Sequence, residues 1–415
     1  STSTGSALAV AEALAVAEAL AQHLAVPEPL TAELRSRAQS LAKGAAGIAL
    51  LHIERAHSGA GSWATAHSWV KAATRDEISA ADTAGLYFGV PALSFILHAA
   101  SADGTARYGA VLAGIDAHVS ALAHRRIDLA GQRADCGKCP AFAEYDLLHG
   151  LTGIGAHFLA HAPGNDALGR ILTYLVRLTE PVRVDGQTLP GWWTAHDPNV
   201  TTSAGFPGGH LNLGVAHGIG GPLALLAQSL RAGITVDGQP DAISVICAFL
   251  DTWRQDGDAG AWWPHWLTLD ELRTGRTTQL GPLRPSWCYG TPGLSRAQQL
   301  AAIATDDITR QHLAEHALAA CLSDPAQLGQ IIDTSLCHGW AGVYQIAVRA
   351  AADAITPALA TILPHLAELL IRHTSAAPSH STGLLEGNSG LALALHTAAG
   401  TTPPISGWDT CLMIS

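Results

Sequence analysis

Two short stretches of the chain carry a thiol in the same frame, each just ahead of a Gly-x-x-Gly turn. One reads Ser286-Trp287-Cys288-Tyr289-Gly290-Thr291-Pro292-Gly293, the other Ser335-Leu336-Cys337-His338-Gly339-Trp340-Ala341-Gly342. If the shared turn brings Cys288, Cys337 and His338 together, two thiolates and an imidazole form a donor set that suits zinc better than magnesium or calcium. A structural zinc is closed by four protein ligands, so three donors imply an open position for water or substrate. A buried cysteine is more often a small core residue, and Cys247, Cys321 and Cys411, set among apolar neighbours, read that way. Cys136-Gly137-Lys138-Cys139 is a Cys-x-x-Cys with no second pair to complete a four-thiolate site, and it reads as a loop feature.

The elements that must position these residues form a repeat. Gly-x-x-Gly recurs at Gly44, Gly150, Gly218, Gly290, Gly339 and Gly387, with a degenerate copy at Gly89-Val90-Pro91-Ala92. An apolar segment follows each turn, and segments with helical periodicity lie between: Ala11 to Leu24, Arg107 to Ala123, Asp166 to Leu178, Asp241 to Trp253, Asp307 to Cys321 and Ala358 to Ile371. Asp241 and Asp307 are expected as N-caps, and Pro364 is expected to start or kink the last helix. Alternating outer and inner helices, repeated seven times, close into an all-α, double-layered α/α barrel. Its glycine turns would gather at one end, where Cys288 meets Cys337 and His338. Two long connections interrupt the pattern, Glu180 to His210 and Asp256 to Pro285. Their tryptophans, Trp192-Trp193 and Trp262-Trp263 with Trp266 and Trp287 nearby, either cap the core or wall a cleft. The whole chain, 1–415, reads as one toroid domain with insertions near 180–210 and 256–285.

Composition narrows the function. Charged residues make up 14% of the 415 and hydrophobic ones 48%, so a large core is filled. The net charge of −11 and the lack of a basic patch argue against a nucleic-acid partner. The alanine-rich start carries Glu12 and Glu18 and no Lys or Arg before Arg35, the opposite of a secretory signal. No apolar run is long and unbroken enough to span a membrane. Seven cysteines, an odd number, fit reduced thiols and metal ligands in a cytoplasmic protein.

The repeats, Trp287-Cys288-Tyr289-Gly290-x-Pro292-Gly293, Cys337-His338-Gly339 and Asn212-Leu213-Gly214-Val215-Ala216-His217-Gly218 together resemble the lanthionine synthetase C-like cyclases, over nearly the whole chain. The resemblance implies an α/α toroid with a central zinc on Cys288, Cys337 and His338. It also implies addition of a cysteine thiol to dehydroalanine or dehydrobutyrine in a precursor peptide, giving thioether rings. His217 matches the family's acid/base histidine, Asp146 its aspartate, and Arg284 and Tyr289 its other polar cavity residues. A dehydratase and an exporter are the implied partners in a synthetase complex. Two positions depart from the pattern: Gly220 stands where proline is common, and His149 precedes Gly150.

The expected chemistry follows from ordinary reactivity. A free thiol is mostly protonated at neutral pH, and coordination to zinc deprotonates it. Addition to the β-carbon creates an enolate whose charge Arg284 could stabilise and whose α-carbon His217 could protonate. Two other functions are compatible with the same residues: a transferase adding a small thiol such as glutathione to dehydrated proteins, and a zinc-containing scaffold that only holds a peptide.

Overall fold

The computed structural model describes residues 2–29, 31–376, 380–400 and 402–415. Each glycine turn launches an inner helix: Ala45–His57, Val90–Ala100, Leu151–His161, Gly220–Arg231, Thr291–Ala304, Trp340–Asp353 and Asn388–Ala399. These are buried almost all round, polar side chains such as Ser94, Arg296 and Gln299 included; Leu391 to Leu395 are at most 1% exposed. Each inner helix packs on the next, and the last returns to the first, closing the ring. An outer layer covers them: Trp63–Ala73, Gly109–Asp135, Asp166–Leu178, Gln239–Trp253, Ile308–Ser323 and Ala358–Ala376, with Thr2–His23 packed on the last inner helix. The N-terminal helix therefore completes the seventh hairpin.

The expected outer helices form; one expected cap is corrected and the place of Pro364 is narrowed. Asp307 caps its helix by accepting from the Arg310 amide, but Asp241 lies inside the first turn, because Gly238 with Pro240 behind it starts that helix. Pro364 sits within Ala358–Ala376 and does not start it. The long connections are not structureless: Val182–Val184 pairs with Gln187–Leu189, and Gln255–Gly257 with Gly260–Trp262. Leu211–Asn212 pairs antiparallel with Trp266–Leu267, which ties the end of one connection to the middle of the other.

At one end, the seven turns form a ring of backbone hydrogen bonds. The amides of Leu41, Leu147, Val215, Cys288, Cys337 and Leu385 donate to the carbonyls of Tyr87, Ala216, Cys288, Cys337, Leu385 and Ala42, at 2.8 to 3.2 Å. Between the second and third turns the Arg126 guanidinium bridges instead, to the carbonyls of Ala84 at 2.7 Å and His149 at 2.5 Å. The second glycine of the motif is fixed by this closeness. A Cβ at Gly293 would collide with the Trp287 carbonyl and with Val215 of the preceding turn.

The C-terminal segment fills the core. Trp408–Leu412 forms a short 3-10 helix, and Cys411, Leu412, Met413 and Ile414 are buried. Inner-helix and turn residues hold its backbone: Tyr87 Oη donates to the Cys411 carbonyl, Trp287 Nε1 to that of Leu412 and Arg296 Nε to that of Ile414. Buried Asp409 is paired to Arg349 and Gln345. Trp192, Trp193, Trp263 and Trp287 are each at most 1% exposed, so these indoles belong to the core, not to a cleft. Cys247, Cys321 and Cys411 are core residues too, whereas Cys136 and Cys139 follow the Gly109–Asp135 helix near the surface.

Candidate active site

The turn ring places chemistry by register. The residue just before the first glycine of each turn is Lys43, Phe88, His149, His217, Tyr289, His338 or Glu386, and the residue before that is a cysteine in the fifth and sixth turns. All seven members of the first set are at least partly exposed, so they line an open mouth. Five of the residues expected in the site fall in these two registers: His217, Tyr289, His338, Cys288 and Cys337.

Cys288 and Cys337 are neighbours, joined through the backbone and through their thiols, and neither is in a disulfide. Hydrogen bonding from Cys337, with further help from the Ser286 hydroxyl 3.4 Å away, draws the Cys288 thiol down to about 6, while Cys337 is held well up by the same bond and by burial. One of the two is thus favoured as a thiolate. The His338 ring offers Nδ1 to Asp333 at 2.6 Å, which raises its pKa and leaves Nε2 as its free donor atom. Donor atoms of Cys337, His338 and Glu386 lie within 4.8 Å of one another. Two thiols, an imidazole fixed by a carboxylate and a nearby glutamate fit a zinc-class ion.

Asp146 and His217 form the second half of the site. In three other turns a serine four residues before the first glycine closes the loop: Ser40, Ser286 and Ser335 each accept the amide three residues on. Asp146 holds this place in the third turn, and its Oδ1 takes the amides of His149 at 2.6 Å and Gly150 at 2.7 Å. A carboxylate has a second oxygen that serine lacks. Oδ2 of Asp146, wholly buried, meets Nδ1 of His217 at 2.7 Å. The His217 ring is sandwiched between Phe142, stacked at 4.6 Å, and His149 at 5.8 Å. This fixes the Nδ1–H tautomer and leaves Nε2 for chemistry.

Tyr289 is held at its hydroxyl by Asn212 Nδ2, 2.8 Å away, and its ring is stacked on His265 and edge-on to Trp266. A side chain at Gly214 would strike the Cys288 carbonyl and the Tyr289 ring. Burial pushes the phenol up to about 12, so it stays a donor. Arg284 is half-buried, lies close enough to act electrostatically on Cys288, His338 and His265, and has no carboxylate partner among the described residues.

The sequence reading missed Glu386, Asp333, Asn212 as a tyrosine anchor, and Phe142 and His265 of the aromatic wall, whose third member, Trp266, it left open between core and cleft. Glu386 was legible, because it stands in register with His217 and His338. Asp333 was too: like Asn212, it lies six residues before a turn glycine and accepts the amide two residues on. The wall depends on the pairing of two distant connections, which local sequence does not encode.

Comparison with known proteins bears on the fold and the family. Over 208 residues the chain is 26% identical to the nisin biosynthesis protein NisC of Lactococcus lactis subsp. lactis, a match covering 49% of this chain and 48% of that one. The chain thus matches about half the length of that curated relative. The solved structure of nisin cyclase superposes with a TM-score of 0.75 at 21% identity, covering 91% of this chain and 92% of the other, which establishes the common fold. The family described as lanthionine synthetase C-like protein matches residues 36–413. With nearly the whole chain matched, the protein belongs to the lanthionine synthetase C-like family.

Proposed function

We propose that this protein is a zinc-dependent lanthipeptide cyclase. It adds cysteine thiols of a dehydrated precursor peptide to dehydroalanine or dehydrobutyrine residues of the same peptide, closing lanthionine and methyllanthionine rings. The observation that carries this reading is the meeting, on one ring of turns, of a Cys-Cys-His donor set with the Asp146–His217 pair. The names of the two relatives, both tied to nisin, support the same class of substrate. Cys288, Cys337 and His338 would hold the zinc, which when bound supplies a Lewis acid that favours the thiolate form of a substrate thiol.

The chain's own residues account for the remaining steps. The attacking thiol gives its proton to Nε2 of His217, and Asp146 stabilises the resulting imidazolium through Nδ1–H. The new bond joins sulfur to the β-carbon, and the π pair of the alkene moves onto the α-carbon and the carbonyl oxygen. Arg284, with no carboxylate partner among the described residues, offers its charge to that enolate. Tyr289, kept protonated by burial, donates a hydrogen bond from the wall. His217 then returns the proton to the α-carbon, so no atom is gained or lost.

The substrate itself requires a dehydratase upstream, since dehydro residues arise by loss of water from Ser and Thr. An exporter belongs to the same proposed complex. The full chain acts as one toroid domain in a reducing cytoplasm, which suits seven cysteines with no disulfide between them. Incubation of the zinc-loaded protein with a dehydrated, cysteine-containing peptide, followed by alkylation and mass spectrometry, tests the activity. Loss of one alkylatable thiol per ring at unchanged peptide mass is expected. Unchanged thiol counts would leave only a scaffold, and uptake of added glutathione would indicate a transferase.

A further inference from the structure

A second cluster of titratable side chains lies away from the turns. His98 is near the C-terminal end of inner helix Val90–Ala100, His157 and His161 are near that of Leu151–His161, and Asp116 is in the first part of outer helix Gly109–Asp135. At about 1.5 Å per helical residue, His98 stands roughly 13 Å from the turn that starts its helix. Farther along the helix that carries Asp116, Arg126 reaches the turn ring, so Asp116 points back toward the other end.

The cluster is connected. Nε2 of His98 lies 3.1 and 3.0 Å from the two oxygens of Asp116. The Ser94 hydroxyl donates to Asp116 Oδ1 at 2.6 Å and lies 2.8 Å from His157 Nε2. With its hydrogen committed to Asp116, Ser94 must accept from His157 Nε2–H, which leaves Nδ1 of His157 with a free lone pair. That atom is buried without a hydrogen-bond partner among the described residues, and so is Nε2 of His161. His161 stacks on His98 at 5.0 Å. A buried polar atom without a partner has lost its water and gained nothing in return, so two in one cluster call for a reason.

We propose that His98, Asp116 and His157 form a second metal site, for a divalent transition ion of the zinc class. The site ties two inner helices to an outer one at the end of the barrel opposite the turns. One donor atom from each lies within 4.8 Å of the other two. Donors 2.0–2.1 Å from a tetrahedral ion stand about 3.3 Å apart, close to the present His98–Asp116 spacing. On binding, the ion replaces the proton between His98 Nε2 and Asp116, and that proton leaves to solvent past the partly exposed carboxylate. Solvent or His161 completes the shell. The donors are imidazole and carboxylate with no thiolate, which separates this site spectroscopically from the one at the turns.

Tag-free, metal-free protein carrying Cys288→Ala, titrated with cobalt(II), tests the proposal without reference to cyclase activity. The expected result is about one cobalt per chain, visible d–d bands without thiolate-to-cobalt charge transfer, and a raised Tm. Adding Asp116→Asn, which keeps an acceptor for Ser94 and so preserves folding, should weaken cobalt binding at least tenfold, as expected when one ligand is lost. Absence of cobalt binding in Cys288→Ala would overturn the site. So would binding that survives both Asp116→Asn and His98→Gln unchanged.

Discussion

Asp146 does two jobs with its two oxygens, and substitution separates them. Asp146→Asn keeps an oxygen for the amides of His149 and Gly150 but removes the charge behind His217. The expected outcome is a cyclisation rate lower by roughly 10²–10⁴ with stability nearly unchanged. Asp146→Ala should lose the same rate and also about 1–3 kcal/mol, because the buried Gly150 amide and the partly buried His149 amide lose their acceptor. Equal melting temperatures for the two variants would contradict the double role. At this scale the sequence was informative where side chains carry their own chemistry. Cys288, Cys337 and His338 stand out from type and frame, whereas His217 stands out through the family resemblance. The serine register that explains why an aspartate stands at 146 becomes visible only once hydrogen bonds can be compared from turn to turn.

The turn is the element that makes the site, and its glycines are there for close approach. Gly293→Ala would press a methyl group into the Trp287 carbonyl and Val215, one turn away from the thiols. A loss of about 1–3 kcal/mol is expected from denaturant midpoints, the usual cost of overpacking. An unchanged midpoint would mean that the ring relaxes freely. The periodic glycines and the apolar runs after them made the seven hairpins legible from sequence, and helix Asp166–Leu178 falls where its periodicity places it. The pairing of Leu211–Asn212 with Trp266–Leu267 was not legible. Its strands are two residues long, and their register is set by contacts distant in sequence. For the same reason the loops gave no hint of which tryptophans are buried.

At the scale of the whole molecule, the toroid keeps several histidines neutral by burial, and this couples folding to pH. His210 is wholly buried and is pushed down to about 4, and His265 is also pushed down to about 4. In the unfolded chain these groups protonate near 6.5, so below that pH the unfolded state binds more protons and stability falls. The contribution is fully present above about 6.5 and is lost on descent toward 4, on the order of 2–3 kcal/mol for His210 alone. Melting temperatures measured between these pH values should fall, and His210→Gln should flatten the slope. A slope unchanged by that substitution would assign the acid sensitivity to other groups.

The molecule's outer and inner helices, and the tail held by the inner ones and their turns, serve to hold four consecutive turns side by side. The central claim is that His217, oriented by Asp146, moves the proton during ring closure beside the Cys-Cys-His set. The most direct measurement compares parent and His217→Asn, both zinc-loaded, on one dehydrated peptide, reading the rate of thiol loss and the configuration at the new α-carbon. The predicted result is full zinc content with a rate lower by roughly 10²–10⁴. Cyclisation at the parent rate with the same stereochemistry would contradict it.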